Sequence, residues 1–425
     1  MKLLYFILDP ARQWKVFSFL IVAYYGGISL ALYTFDGTSN FLTCAIVASV
    51  SAVSVYAGGF FVKRRKLAIP EQQRPNRLLV AIIGIFFIVL AVIVISTAGR
   101  IPLFASLKGA GTQDVVNYRA DFLVNRSGWE ASLVYFSSLF SQFLFPYLLV
   151  KLYYVRAKTF IPFLVIFAAY SLLSTEKALF FRWALPLLVI FLMLSKNGSK
   201  KHLRTAKLLL IGSASLLFLN IFISGFAGSG ALLSGWQGVT FTNFFSSNFA
   251  SSISGGSALM FFLWRSFAVP VFTATDSIRV FQDTFNGHVL MGATNGTLAA
   301  IFNLPRVMFE RQVFAGQWGQ SDTGTGSSNA VYFIEAYVNY GWVGVVIFSL
   351  IVGYLLAKMG GSRDIGVVVL TPLLTYCLFM SGLLGNLLGG GLIFVLLISW
   401  LHMTGGWRKN ALPSESSLAV LKNRI

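Results

Sequence analysis

The residues best suited to chemistry lie between Phe314 and Gly341, in the run FAGQWGQSDTGTGSSNAVYFIEAYVNYG. A Gly/Ser/Thr-rich segment enters a long apolar stretch there. Tyr332, Glu335, Ala336 and Asn339 fall at i, i+3, i+4 and i+7, one face of a helix. A carboxylate about one turn into a membrane helix is costly unless it is paired or faces a polar cavity. Two readings of Glu335 follow: a structural pair with an arginine, or the polar wall of a binding cavity.

Arginine is the second informative residue type. Arg100, Arg119, Arg126, Arg182, Arg265, Arg279, Arg306 and Arg311 lie away from the lysine-rich linkers, accompanied only by Lys108 and Lys177. A guanidinium offers a planar fork that grips phosphate or carboxylate oxygens two at a time and stays charged when partly desolvated. The plainer reading pairs these arginines with neighbouring acids to stiffen loops. Arg265 in Phe-Leu-Trp-Arg-Ser-Phe and Arg182 in Phe-Phe-Arg-Trp sit within apolar sequence, where an unpaired charge is expensive. Thr175-Glu176-Lys177 precedes Arg182 by about a turn and reads either as a hairpin cap or as part of a polar site; Arg182 needs an anionic partner in both readings.

Other chemistries lack their residues. Of three histidines only His288 falls in an outer segment, so no His/Cys metal spacing exists. There is no Walker loop, Rossmann fingerprint or Gly-x-Ser-x-Gly elbow. No acids stand in mid-span, where a proton-coupled transporter would carry them. No cofactor is expected.

The elements that must position these residues are membrane helices. With 56% hydrophobic and 11% charged residues and a mean hydropathy of +0.75, the chain carries more apolar surface than a water-soluble fold can hide. A bilayer core takes roughly 20 apolar residues per helix. The runs 14–34, 41–62, 78–98, 131–150, 159–174, 178–195, 206–226, 332–357, 366–381 and 386–402 qualify or nearly do, which predicts an all-α integral membrane protein of about ten transmembrane helices. No cleavable signal sequence stands out, and Cys44 and Cys377, both inside apolar runs, read as small core residues. With both termini cytoplasmic, segments 1–13, 63–77, 151–158, 196–205, 358–365 and 403–425, plus Lys15 and Lys207, hold 23 of 33 basic residues and 4 of 14 acids. The rest holds 10 of each, so the whole net charge of +19 falls on one side. Such loop basicity orients a membrane protein. It carries no implication of nucleic-acid binding.

The chain reads as a single polytopic domain, 1–425, with outer segments at 99–130 and 227–330, the latter between spans seven and eight and too long for a mere connection. Within it the apolar stretch 258–273, broken by Arg265 and Pro270, reads as a re-entrant or interfacial helix. The polar equipment gathers at the outer membrane–water boundary, which points to a lipid-linked anionic substrate.

The long outer segment closing in Gly-Gln and then Thr-Gly-Thr-Gly-Ser-Ser-Asn-Ala, followed by FIEAYVNYGWVGVVIFSLIVGYLL, resembles the Wzy-type oligosaccharide repeat-unit polymerases that build O-antigen and related polysaccharides. In that family a carboxylate–small–aromatic triplet and an aromatic–Gly pair open a late span; here they read Glu335-Ala336-Tyr337 and Tyr340-Gly341. The topology of most of the chain is similar too, and O-antigen ligases share much of it. The resemblance implies an inverting, metal-independent glycosyltransferase of the bacterial inner membrane, with its site facing the periplasm. Donor and acceptor would both be oligosaccharide on undecaprenyl pyrophosphate, in contact with membrane lipid, and a polysaccharide chain-length regulator is the candidate protein partner. The implied catalytic residues are Glu335 as base, with Asp322, Asp276 and His288 behind it, and Arg265 and Arg311 against charge developing on the leaving pyrophosphate. Arg119, Arg182, Lys177, Arg279, Arg306, Gln317, Tyr332 and Asn339 are the implied substrate contacts. A flippase or transporter of the same lipid would instead show polar residues at mid-depth and near-symmetric halves; a ligase would differ only in its acceptor.

Overall fold

A computed structural model describes residues 2–62, 77–110, 112–123, 126–195, 200–225, 240–246, 258–318, 328 and 331–404. Every regular element among them is helical: α1 (Lys2–Ile7), α2 (Pro10–Asp36), α3 (Ser39–Phe60), α4 (Arg77–Thr97), α5 (Pro102–Leu107), α6 (Thr112–Leu123), α7 (Glu130–Tyr154), α8 (Phe160–Ser174), α9 (Lys177–Ser195), α10 (Lys200–Gly225), α11 (Phe241–Phe244), α12 (Ala258–Phe267), α13 (Val269–Phe285), α14 (Gly296–Ile301), α15 (Phe309–Trp318), α16 (Tyr332–Gly360), α17 (Ile365–Met380) and α18 (Leu392–Thr404). A helix lies at each of the ten apolar runs. Six, in α2, α3, α4, α7, α9 and α16, are long and apolar enough to cross a bilayer, while the apolar parts of α8, α17 and α18 are shorter. The chain is an all-α, multi-pass membrane protein. Large apolar side chains such as Val53, Ile85 and Val343 stand more than half exposed on these helices, a surface suited to lipid rather than water.

The centre is α16 packed along α3. Small residues let the two backbones meet: a β-carbon built on Gly58 would stand 2.1 Å from the Leu350 carbonyl oxygen, and one on Gly353 2.0 Å from that of Val55. The apolar helix α17 is buried almost all round, as a helix without a polar face must be. Its N-cap, Asp364, receives the Tyr147 hydroxyl at 2.6 Å, the Gly366 amide at 2.9 Å and Lys151 Nζ at 3.1 Å. Lys151, expected as a cytoplasmic anchor, is instead 2% exposed and paired to a carboxylate that is fully buried. An end-of-span lysine takes this course when a buried acid from a distant helix meets it.

The described parts of segments 99–130 and 227–330 carry helices as well. In the first, α5 and α6 pack on α10. In the second, the stretch 258–273, read as a re-entrant or interfacial helix, is divided at Ala268 between α12 and α13. Pro270 occupies the first turn of α13, where its missing N–H has no intrahelical role.

Candidate active site

Glu335 sits on the opening turns of α16, ahead of a break at Gly341 (φ 62°, ψ −153°). That backbone conformation is open to glycine and strained for other residues, a physical reason for the Tyr340-Gly341 pair. The Glu335 carboxylate lies on Gly382, in the bend after α17: a β-carbon there would stand 2.5 Å from Cδ and Oε2 and 2.6 Å from Oε1. The backbone amides of Leu383 and Leu384 point at the carboxylate, while Oε2 is buried without a hydrogen-bond partner among the described residues. The expected arginine counter-charge is not there: no lysine or arginine among the described residues forms an ion pair with Glu335. Backbone dipoles stand in its place, and Glu310, in the first turn of α15, lies within electrostatic range.

Three π-turns border this region, two within long helices and one in the segment after α17. The π-turn Ile21–Gly26 in α2 presents Tyr24, whose hydroxyl donates to the Phe267 carbonyl at 2.8 Å, and Tyr25, which donates to the Phe379 carbonyl at 2.8 Å. The Tyr25 ring also packs on Phe333. Tyr24 and Tyr25 together thus join the end of α12, just after Arg265, to the end of α17, just before Gly382. The π-turns Phe140–Leu144 in α7 and Gly385–Gly389 after α17 face each other, and Gln142 Nε2 donates to Asn386 Oδ1 at 2.5 Å. Asn386 in turn donates to Ser381 Oγ at 3.0 Å and to the Gly382 carbonyl at 2.7 Å.

The arginines fall into distinct groups. Arg265 keeps an exposed surface, yet burial among its neighbours lowers the guanidinium pKa, and Arg119 lowers it further. Two arginines far apart in sequence, Arg119 on α6 and Arg265 on α12, are therefore brought within electrostatic range of each other. Arg306 and Arg311 are exposed and form no ion pair among the described residues. The Arg306 guanidinium rests against Gly296 at the start of α14. Arg279 pairs with Asp276 at 3.2 Å, and Gln317 Nε2 donates to Asp276 Oδ2 at 3.0 Å while its Oε1 accepts from Ser328 at 2.6 Å. Burial raises the Asp276 carboxyl above its ordinary pKa, with Gln317 and Arg279 acting against it. Arg182 donates to Ser141 Oγ at 3.1 Å, a neutral hydroxyl beside Gln142 instead of the expected anion. Arg126, read among the outer arginines, is fully engaged by Thr97, Glu130 and the Phe122 and Val94 carbonyls.

Two residues sharing a face with Glu335 are turned to other work. Tyr332 is fully buried and shares hydrogen bonds with Ser51 at 2.6 Å and Ser349 at 3.3 Å, between α3 and α16. Asn339 is fully buried too: it accepts from the Gly292 amide at 3.0 Å and donates to Thr294 and to the Glu335 carbonyl at 2.8 Å. It clamps the 290–295 loop onto α16. His288 is exposed in the turn after α13. Asp322 and the Lys177 side chain lie outside the described residues.

Sequence reasoning missed Gly382, Gln142, Asn386, Tyr24, Tyr25 and Glu310. Gln142 and Asn386 carry a signal that charge-based searching passes over, being uncharged amides inside apolar runs. The chain matches no protein-family model, no curated protein and no solved structure.

Proposed function

We propose that the chain polymerises lipid-linked oligosaccharide repeat units at the outer face of the bacterial inner membrane, as a protein of about ten spans with both termini cytoplasmic. A hydroxyl of the new lipid-linked unit attacks the anomeric carbon of the glycan on undecaprenyl pyrophosphate. The glycosidic bond forms with inversion as the carbon–oxygen bond to pyrophosphate breaks, and the lipid pyrophosphate leaves with the electron pair. Glu335 takes the hydroxyl proton, and Arg265, Arg119 and Arg311 answer the charge on the leaving group.

The observation that carries this reading is the Glu335 carboxylate, held over Gly382 with one oxygen free of donors among the described residues. It belongs to the triplet and aromatic–Gly pair that resemble the Wzy-type motif, and exposed arginines stand on the surrounding outer helices. A strain lacking this chain tests the reading. Its surface glycan should collapse from a ladder of bands to a single repeat unit. An unchanged ladder would contradict the proposal, and loss of every band would point to a transporter of the same lipid.

A further inference from the structure

Between α7 and the bend after α17, a run of neutral polar groups has no part in the chemistry assigned above. Asn386 is 1% exposed, yet its amide makes three hydrogen bonds: one accepted from Gln142 and two donated back to Ser381 and Gly382. A buried amide is costly unless it is fully bonded. Space has been kept for the pair. A β-carbon on Gly390 would stand 2.8 Å from Gln142 Cδ, and one on Gly391 2.5 Å from the Leu139 carbonyl oxygen. Both amides stand on π-turns, and the second is closed by the Gly390 amide on the Gly385 carbonyl at 2.8 Å, five residues back. The segment so gripped, Ser381 to Leu384, is the one that carries Gly382 and the two amides directed at Glu335.

We propose that Gln142 and Asn386 are positioning residues for Glu335: the cross-helix amide pair fixes the Ser381–Leu384 bend, and the bend fixes the carboxylate. The proposal rests on the reading of Glu335 as the proton acceptor. It extends the site to α7, a helix that supplies none of the residues in the family-like motif. Asn386→Leu removes all three bonds at similar volume. Gln142→Leu removes the anchor to α7, together with the Gln142–Cys377 contact, and leaves Asn386 its two grips on the bend.

The test uses full-length protein purified in lipid nanodiscs, with thermal unfolding as the check of folding. The infrared carboxyl band of Glu335 is assigned as the band lost in Glu335→Gln. In Asn386→Leu that band should shift, and in Gln142→Leu shift less. A displacement of about 1 Å costs on the order of 100-fold in rate, so kcat with lipid-linked repeat units should fall roughly 10- to 100-fold in Asn386→Leu, with KM changed by less than about threefold. An unmoved band in both variants overturns the proposal, as does a raised KM at unchanged kcat. Should Asn386→Leu fail to fold, Gln142→Leu decides. The infrared comparison needs no turnover: wild-type protein that makes no polymer defeats the functional reading, while the band still decides the positioning.

Discussion

Gly382→Ala places one methyl group against the Glu335 carboxylate. The new β-carbon would stand 2.5 Å from Cδ and Oε2, where ordinary contact begins near 3.4 Å, so the carboxylate must give way by about 0.9 Å. The atoms in the way are the far end of a flexible side chain, and the helices around them need not move. The stability cost should be small, with an unfolding midpoint close to that of wild type. The catalytic cost should be large, since a misplacement of this size loses on the order of 100-fold in rate, or about 2.7 kcal/mol of transition-state stabilisation. The assay is polymer formation from lipid-linked repeat units by purified protein, expressed per folded molecule. Gly212→Ala on α10 is the control, because a β-carbon there meets nothing within 4 Å. Near-normal turnover by Gly382→Ala would refute the reasoning, and so would a loss matched by a fall in folded yield.

Four further expectations can be measured. Lys151→Met leaves Asp364 buried without its cation and should destabilise by about 3–5 kcal/mol, whereas Lys151→Met with Asp364→Leu should recover most of it; equal unfolding midpoints for wild type and the single variant would remove the pair from the account. Burial pushes the Asp364 carboxyl up, but Lys151, the Tyr147 hydroxyl and the Gly366 amide outweigh it and hold the folded pKa below its ordinary value. Its stabilisation is therefore complete above the ordinary carboxylate range and fades as pH falls through the lowered folded value, so acid should lower the wild-type midpoint more than that of Asp364→Asn. Arg265→Ala should reduce polymer synthesis about 10²- to 10³-fold at undiminished protein level, and Arg265→Lys should rescue poorly because a point charge lacks the two-point fork; normal polymer from the lysine variant would make Arg265 an ordinary counter-charge. A reporter active only outside the cytoplasm should light up when fused after Thr112, Ser229 or Ser321 and stay dark after Gln72, Ser199 or Ser362, and a bright Ser199 fusion would break the topology.

Hydropathy made the helices legible because a span must be apolar along its whole length, and helices stand at all ten runs. The break in α16 was not legible, since Gly341 read only as half of the aromatic–Gly pair within one apolar run. Nor was the environment of Glu335. Periodicity puts Tyr332 and Asn339 on its face, but it cannot say what opposes that face: Ser51 claims one and the Gly292 loop the other. Lys151 read as an anchor because its partner Asp364 is 213 residues away. The cradle was hidden for a similar reason. It is built from backbone amides and a glycine, which have no side-chain signature, and from π-turns that shift the register on which face counting depends.

The central claim is that Glu335 takes the proton of the attacking hydroxyl, and one substitution tests it most directly. Glu335→Gln keeps the side chain's length and nearly all its contacts while removing the proton acceptor. Purified and assayed with lipid-linked repeat units, the variant should be folded, should bind the lipid-linked substrate as wild type does, and should make no polymer. Turnover per folded molecule close to that of wild type would contradict the account and move the search for the base to Asp276, His288 and Asp322.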